Sequence, residues 1–180
     1  MFGTSGNPET SQHTKGDAAL SAKKGPVKTA IVGVGNLLMG DEGIGVHIAE
    51  RLKSASLPAD VAVLDGGTHF WGDEEMLNGA EKLVIVDAVL GGGAPGTIYR
   101  FGLDELEDET DGVRLSCHDM GLIEKLRMTQ FAGLTPEQIV IIGVEPANVA
   151  WNAGLSKEVE AKVPEIVDAV MAEITCSRGR

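Results

Sequence analysis

The sequence has few cysteines and no long apolar run, and each shortage excludes a class of protein. Only two cysteines, Cys117 and Cys176, occur among 180 residues. They are too few for a disulfide framework and fit a reducing cytoplasm. No apolar stretch approaches the roughly 20 residues that span a bilayer, and the N-terminus lacks the apolar core of a signal peptide. We therefore expect a cytoplasmic protein without a membrane-inserted segment.

Positive charge is also scarce. The chain has 15 Lys and Arg against 27 Asp and Glu, which gives a formal net charge of −12. This acidic balance repels nucleic acid and anionic membrane surfaces, so we expect neither as a partner. A cation or a basic protein is easier to accommodate.

Length and composition predict one folded domain. A chain of 180 residues lies within the range of about 100–200 residues for a single domain, and 43% hydrophobic residues can form a core. Residues 1–26 are rich in Gly, Ser, Thr and Lys and are predicted to be a disordered tail. Residues 27–176 form the predicted domain, 177–180 a second short tail, and we expect a monomer.

Five apolar or alternating runs predict β-strands, at 27–34, 61–64, 82–86, 97–101 and 138–144. Continuous apolar runs are typical of parallel strands that are covered on both faces. The 97–101 run alternates and follows a loop too short for a crossover helix, so it is predicted to be antiparallel. Helices are predicted at about 42–54, around 71–77, after 116–119 and from 156 onward, where Pro164 should kink or restart the helix. The pattern predicts a three-layer α/β/α sandwich around a mostly parallel sheet.

Three acidic or histidine positions share a predicted location. Glu42 and Asp87 come just after predicted central strands, and His118 just before a predicted helix. Carboxyl ends of parallel strands share one edge of a sheet, so these side chains could converge. Two carboxylates and one imidazole form an open site suited to nickel or zinc. Each also has a structural interpretation, as a helix cap or a turn residue.

Neighbouring residues have weaker signals. Asp65 begins an Asp-Gly-Gly-Thr sequence at the end of another predicted strand, which fits either a site or a tight turn. Cys117 is a possible soft ligand, although a buried and inert thiol is the more common case. His47 is not spaced as a paired ligand with Glu42 on the helix, and we treat it as a surface residue.

The glycine-rich turn does not meet the requirements of a nucleotide site. Gly33 and Gly35 supply the first two glycines of a G-x-G-x-x-G fingerprint, but the third position is Leu38. The expected ribose-binding acid is missing, and the carboxylates of Asp41 and Glu42 would repel a pyrophosphate. No nucleotide cofactor is expected.

These residues also resemble a known family. The sequence Gly-Val-Gly-Asn-Leu-Leu-Met-Gly-Asp-Glu-Gly-Ile-Gly at 33–45 is similar to the signature of the nickel–iron hydrogenase maturation endopeptidases. Further motifs follow in the family's order, at 65–68, 86–88, 95–96, 116–118 and 143–146. The resemblance covers about residues 28–175. It implies an α/β/α sandwich with a five-stranded sheet and an enzyme that removes a C-terminal extension from the hydrogenase large-subunit precursor after nickel insertion.

The resemblance also implies residue roles. Glu42, Asp87 and His118 match the family's nickel-recognition ligands, for a nickel supplied by the precursor. Asp65 matches a residue implicated in cleavage or substrate handling, and Asp41 is left to the N-terminus of the following helix. The chain departs from many relatives at His69-Phe-Trp71, where they have a small residue and then Gly, which leaves the identity of the precursor open.

Two other functions stay open from the sequence. One is a nickel-sensing chaperone that docks on the precursor without cleaving it, and the less favoured one is a nucleotide-binding α/β domain. For a peptidase, the attacking water could be activated by the metal or by a carboxylate such as Asp65. Cys117 as a nucleophile is the least favoured route.

Overall fold

The computed structural model describes residues 26–68, 79–105, 114–115, 120–133 and 136–176. The predicted helix around 71–77 lies outside the described residues. So do the predicted tails, except for Pro26.

The described residues form six strands and three α-helices. The strands are β1 (Thr29–Val34), β2 (Val61–Gly67), β3 (Lys82–Leu90), β4 (Ile98–Gly102), β5 (Arg114–Leu115) and β6 (Gln138–Val144). The helices are α1 (Ile44–Lys53), α2 (Met120–Phe131) and α3 (Lys157–Cys176), with 3₁₀ turns at Gly40–Gly43 and Leu103–Glu105.

The main sheet has the order β2-β1-β3-β6-β4. The first four strands are parallel, and β4 runs antiparallel to β6. This confirms the predicted five-stranded, mostly parallel sheet with one antiparallel strand. β5 pairs antiparallel with Val89 and Leu90 at the end of β3. It was not predicted, because a two-residue strand is too short to show a periodic pattern.

The sheet is covered on both faces. Ile31, Val84 and Ile142 point to one side, where they pack with α1 and α3. Val32 and Ile85 point to the other side and belong to a cluster with Leu126 of α2. The alternation follows from the two-residue period of a strand, and it produces the predicted three layers.

Helix α3 has the apolar face that its sequence predicts. Its predicted inward residues are all buried: Val159, Val163, Ile166, Val170 and Ile174. The Ser156 Oγ atom accepts a hydrogen bond from the Val159 N–H at 3.3 Å, in the manner of an N-cap. Pro164 lies inside this helix, which continues to Cys176. No second helix therefore begins there.

Two glycines allow α1 to approach the sheet closely. A Cβ atom on Gly45 would lie 2.1 Å from the Val86 carbonyl oxygen and 2.3 Å from that of Val34. A Cβ atom on Gly33 would lie 2.0 Å from the Gly45 oxygen. The space at these glycines is therefore filled by protein backbone, and the contact fixes the turn between β1 and α1 at the carboxyl edge of the sheet.

Candidate active site

The turn before α1 has two buried carboxylates. Residues Gly40–Gly43 form a 3₁₀ turn, and α1 begins at Ile44 with Gly43 as its N-cap. The helix therefore begins two residues later than predicted. Glu42 is only 2% exposed, and its turn contacts β3. Gly35 has φ +137°, and a Cβ there would lie 1.9 Å from the Glu42 carbonyl oxygen.

The sequence analysis assigned Asp41 to the N-terminus of α1, but its side chain does not cap that helix. Its carboxylate accepts hydrogen bonds from the backbone amides of Ala147 (2.9 Å), Asn148 (3.0 Å) and Ser156 (2.7 Å). The N-cap of α1 has no side-chain hydrogen bond. Asp41 instead joins its turn to the loop before α3, a partner distant in sequence that local capping rules cannot anticipate.

Asp87 lies inside β3 rather than after its end. The strand continues to Leu90, and Asp87 is paired with Gly143 of β6. It is 2% exposed, and its Oδ1 atom accepts the Ala88 N–H at 2.8 Å. Because Val86 pairs with Gly33 of β1, Asp87 lies level with the end of β1. The prediction that β3 ends before Asp87 was wrong. The prediction that Asp87 lies near the carboxyl edge of the sheet is confirmed.

His118 and Cys117 lie outside the described residues. Within the part of the chain that the structure describes, no three His, Cys, Asp or Glu side chains form a group that could hold a metal ion. The predicted ligand set of Glu42, Asp87 and His118 therefore stays a prediction.

Asp65 lies near the end of β2, which continues three residues beyond the predicted strand. It is exposed, and its Oδ1 atom accepts the Gly67 N–H at 2.8 Å. Gly67 has φ +53°, a conformation that favours glycine. The register between β1 and β2 shifts at this point. Asp65 therefore presents an accessible carboxylate beside this register shift, near the carboxyl end of β2.

His47 is not the surface residue that we predicted. It is half-buried on α1, and its Nε2 atom is inaccessible to solvent and has no hydrogen-bond partner. Helical spacing puts His47 on the same side of α1 as exposed Glu50 and Arg51, which favoured a surface position. Spacing alone does not show which neighbouring residues bury part of a side chain.

Glu145 organises a loop that the sequence showed only as a turn. Its Oε2 atom accepts hydrogen bonds from the amides of Gly91 (2.8 Å) and Gly93 (3.3 Å) and from the Tyr99 hydroxyl (2.7 Å). A Cβ on Gly91 would lie 2.5 Å from the Tyr99 ring. Burial and the hydrogen bond to Glu145 raise the pKa of Tyr99 above its usual value. The Gly-Val-Glu-Pro motif was visible at 143–146, but nothing in the sequence indicated this role.

The comparisons with known proteins decide the family. The family model for hydrogenase maturation protease (HycI) matches residues 46–173. This chain belongs to the hydrogenase maturation protease family. It is 34% identical over 153 residues to the hydrogenase 2 maturation protease of Escherichia coli, covering 82% of this chain and 91% of that protein. It is 32% identical over 143 residues to the hydrogenase expression/formation protein HupD of Rhizobium leguminosarum, covering 78% and 71%.

Solved structures of family members have the same fold. The hydrogenase maturating endopeptidase HybD from E. coli is 31% identical with a TM-score of 0.70, covering 84% of this chain and 94% of that one. The [NiFe] hydrogenase maturation protease HybD from Thermococcus kodakarensis is 29% identical with a TM-score of 0.68, covering 81% and 98%. The predicted family, fold class and peptidase activity are confirmed. None of the helices in the described ranges is long and apolar enough to cross a membrane.

Proposed function

We propose that this maturation protease removes the C-terminal extension of a nickel–iron hydrogenase large-subunit precursor, and that it recognises the precursor by its bound nickel. Nickel is part of the substrate in this proposal. Glu42, Asp87 and His118 complete its coordination when the precursor docks. We further propose that the enzyme acts as a monomer in the cytoplasm.

The observation that carries this proposal is the burial of two carboxylates at one edge of the sheet. Glu42 and Asp87 are each 2% exposed, and the turn that holds Glu42 contacts the strand that holds Asp87. Carboxylate oxygens are common protein ligands of divalent metal ions, and two of them beside one sheet edge supply part of a ligand set. Oxygen and imidazole donors together suit a borderline divalent ion such as nickel.

The path of β5 supports the inclusion of His118. Leu115 pairs antiparallel with Val89, two residues beyond Asp87, so β5 runs back toward the level of Asp87. His118 is the third residue after Leu115. An extended chain covers at most ~3.6 Å per residue, so a three-residue connection spans at most ~11 Å. A connection this short supports the proposal that His118 serves as a ligand beside Asp87.

Asp65 is the candidate general base. Its accessible carboxylate is oriented by the Gly67 N–H, and it would take a proton from the water that attacks the scissile carbonyl. The alternative is that nickel polarises the carbonyl or the water as a Lewis acid. In either case, docking at the metal positions the scissile bond, and positioning can lower a barrier by several kcal/mol.

The test is the mass of the precursor after incubation with this protein. Nickel-loaded precursor is expected to lose its extension, and nickel-free precursor is expected to stay intact. Glu42→Gln and Asp87→Asn should slow cleavage by about 100-fold or more, since even outer-shell changes at metal sites cost 10–100-fold. Glu50→Gln, an exposed change on α1, is the matched control. Equal cleavage of nickel-free and nickel-loaded precursor would refute nickel recognition.

A second variant separates the two routes of water activation. Asp65→Asn should lower kcat on nickel-loaded precursor while leaving its KM nearly unchanged, if Asp65 is the general base. An unchanged kcat in Asp65→Asn would leave the metal as the activating group.

A further inference from the structure

Two loops beside the candidate site expose large apolar side chains. Leu37 and Leu38 lie on the loop after β1, and Val149 and Trp151 lie on the loop after β6. Leu38 is 56% and Trp151 79% exposed. Isolated exposed apolar residues are ordinary, but a group of them on adjoining loops indicates an interaction site. We call these four residues the apolar loop pair.

The two loops are held together by backbone hydrogen bonds. The Gly40 amide donates to the Asn152 oxygen at 2.8 Å, and the Asn152 amide donates to the Leu38 oxygen at 3.0 Å. The Asp41 amide donates to the Asn148 oxygen at 3.1 Å. The Asp41 carboxylate adds its three hydrogen bonds to the same loop. The exposed apolar side chains therefore project from a rigid base, and preorganised surfaces lose less entropy on binding.

The apolar loop pair lies in segments without charge. Residues 36–40 and 146–156 contain no Asp, Glu, Lys, Arg or His, in a chain of net charge −12. The chemistry that fits such a surface is an uncharged aliphatic or aromatic segment. A second copy of this chain would bring another body of charge −12 to the face, and like net charges oppose association.

The apolar loop pair is also continuous with the turn that holds Glu42. Leu38 precedes Glu42 by four residues, and Gly40 of the same turn is hydrogen-bonded to the second loop. The exposed apolar side chains and the turn that holds Glu42 therefore belong to one pair of hydrogen-bonded loops.

We propose that the apolar loop pair binds an uncharged, apolar segment of the hydrogenase large-subunit precursor next to its metal. The proposal rests on the proposed function for the identity of the partner. The apolar contact supplies affinity that does not depend on nickel, and the metal contact adds the discrimination between loaded and empty precursor. Trp151 is the expected main contact, because tryptophan is enriched among residues that dominate binding energy at interfaces.

The experiment measures the Kd of nickel-free precursor and the KM of nickel-loaded precursor with Trp151→Ala and, separately, Leu38→Ala. Trp151→Ala should raise both constants by about 30-fold, with kcat at saturation unchanged. Leu38→Ala should raise both in the same direction. Phe131→Ala is the matched control, since Phe131 is 96% exposed on α2, away from these loops. It should leave both constants within about twofold.

The outcomes separate this inference from the proposed function. Wild-type affinity in both Trp151→Ala and Leu38→Ala would overturn the apolar docking site. If Glu42→Gln cleaves normally while Trp151→Ala still weakens precursor binding, nickel recognition fails and the docking site stands. Sedimentation equilibrium tests the alternative that a second copy of this chain binds the apolar loop pair. A wild-type dimer that Trp151→Ala dissociates would assign the face to a second copy and overturn the proposal.

Discussion

The carboxylate of Asp41 accepts a hydrogen bond from the backbone amide of Ser156 at 2.7 Å, although 115 positions separate the two residues. Ser156 is also the N-cap of α3, through its own side chain. One buried acid therefore ties the turn beside the candidate site to the start of the longest described helix.

Asp41→Ala should lower the free energy of unfolding by about 3 kcal/mol. The change removes the acceptor for three backbone amides, and hydrogen bonds to charged groups contribute about 1.5–3 kcal/mol each without adding fully. Urea unfolding followed by circular dichroism measures the loss. Glu50→Ala, on the exposed side of α1, is the control and should stay within about 0.5 kcal/mol of wild type. A similarly small loss in Asp41→Ala would contradict a structural role.

Gly45→Ala should destabilise the fold by at least about 2 kcal/mol, even though alanine favours helix more than glycine does. The added methyl group would meet the carbonyl oxygens of Val86 and Val34 at 2.1 and 2.3 Å, and neither backbone atom can move without shifting a central strand. The melting temperature and urea midpoint report the change. A variant as stable as wild type would show that α1 can move away from the sheet.

Glu173 connects two cationic side chains, Lys82 at the start of β3 and Arg100 within β4. It pairs with buried Lys82 at 2.5 Å and with Arg100 at 2.6 Å. Burial alone would raise the pKa of Glu173, but the hydrogen bonds from Arg100 and Lys82 outweigh it and hold the pKa below its usual value of 4.5. Glu173→Gln leaves the buried ammonium of Lys82 without its counter-charge, so we expect a loss of about 3–5 kcal/mol at neutral pH.

The pH dependence of that loss follows from the lowered pKa. A carboxylate with a lower pKa in the folded state stabilises the protein fully above the unfolded pKa near 4.5, and this contribution disappears as the pH falls through the folded value. The difference between wild type and Glu173→Gln should therefore be constant above about pH 5.5 and shrink below 4.5. Urea unfolding across that range measures it, with exposed Glu165→Gln as the control. A difference that stays constant in acid would contradict the assignment.

Tyr99 provides a spectroscopic test of the Glu145 cluster, because it is the one tyrosine in the sequence. Its raised pKa comes first from burial and then from Glu145. In Glu145→Gln the acidic partner is removed, so the pKa should fall toward 10. Absorbance of the tyrosinate on alkaline titration measures it directly. Exposed Glu160→Gln should titrate like wild type, and an unchanged pKa in Glu145→Gln would exclude the interaction.

The sequence predicted the sheet well because its central strands are buried on both faces and read as continuous apolar runs. β6 begins and ends where it was predicted, at Gln138 and Val144. The end of β3 was misplaced because Asp87 looked like a terminator, whereas it continues to pair with Gly143 inside the sheet. A polar residue near a site breaks the apolar pattern without breaking the strand.

The candidate site was harder to predict where it depends on distant partners. Glu42 and Asp87 could be placed at one edge from topology alone, since parallel strands align their carboxyl ends. The roles of Asp41 and Glu145 could not be predicted, because their hydrogen-bond donors are distant in sequence. Ala147 lies 106 residues from Asp41, and Gly91 lies 54 residues from Glu145. Local spacing carries no information about such contacts.

The tie between Asp41 and Ser156 also sets an order on biosynthesis. After Asp41 is added to the growing chain, 115 further residues must be added before its last hydrogen-bond donor exists. The loop after β1 therefore lacks these hydrogen bonds while the chain is still short. The turn that holds Asp41 is joined to the loop before α3 only once that late loop has been synthesised.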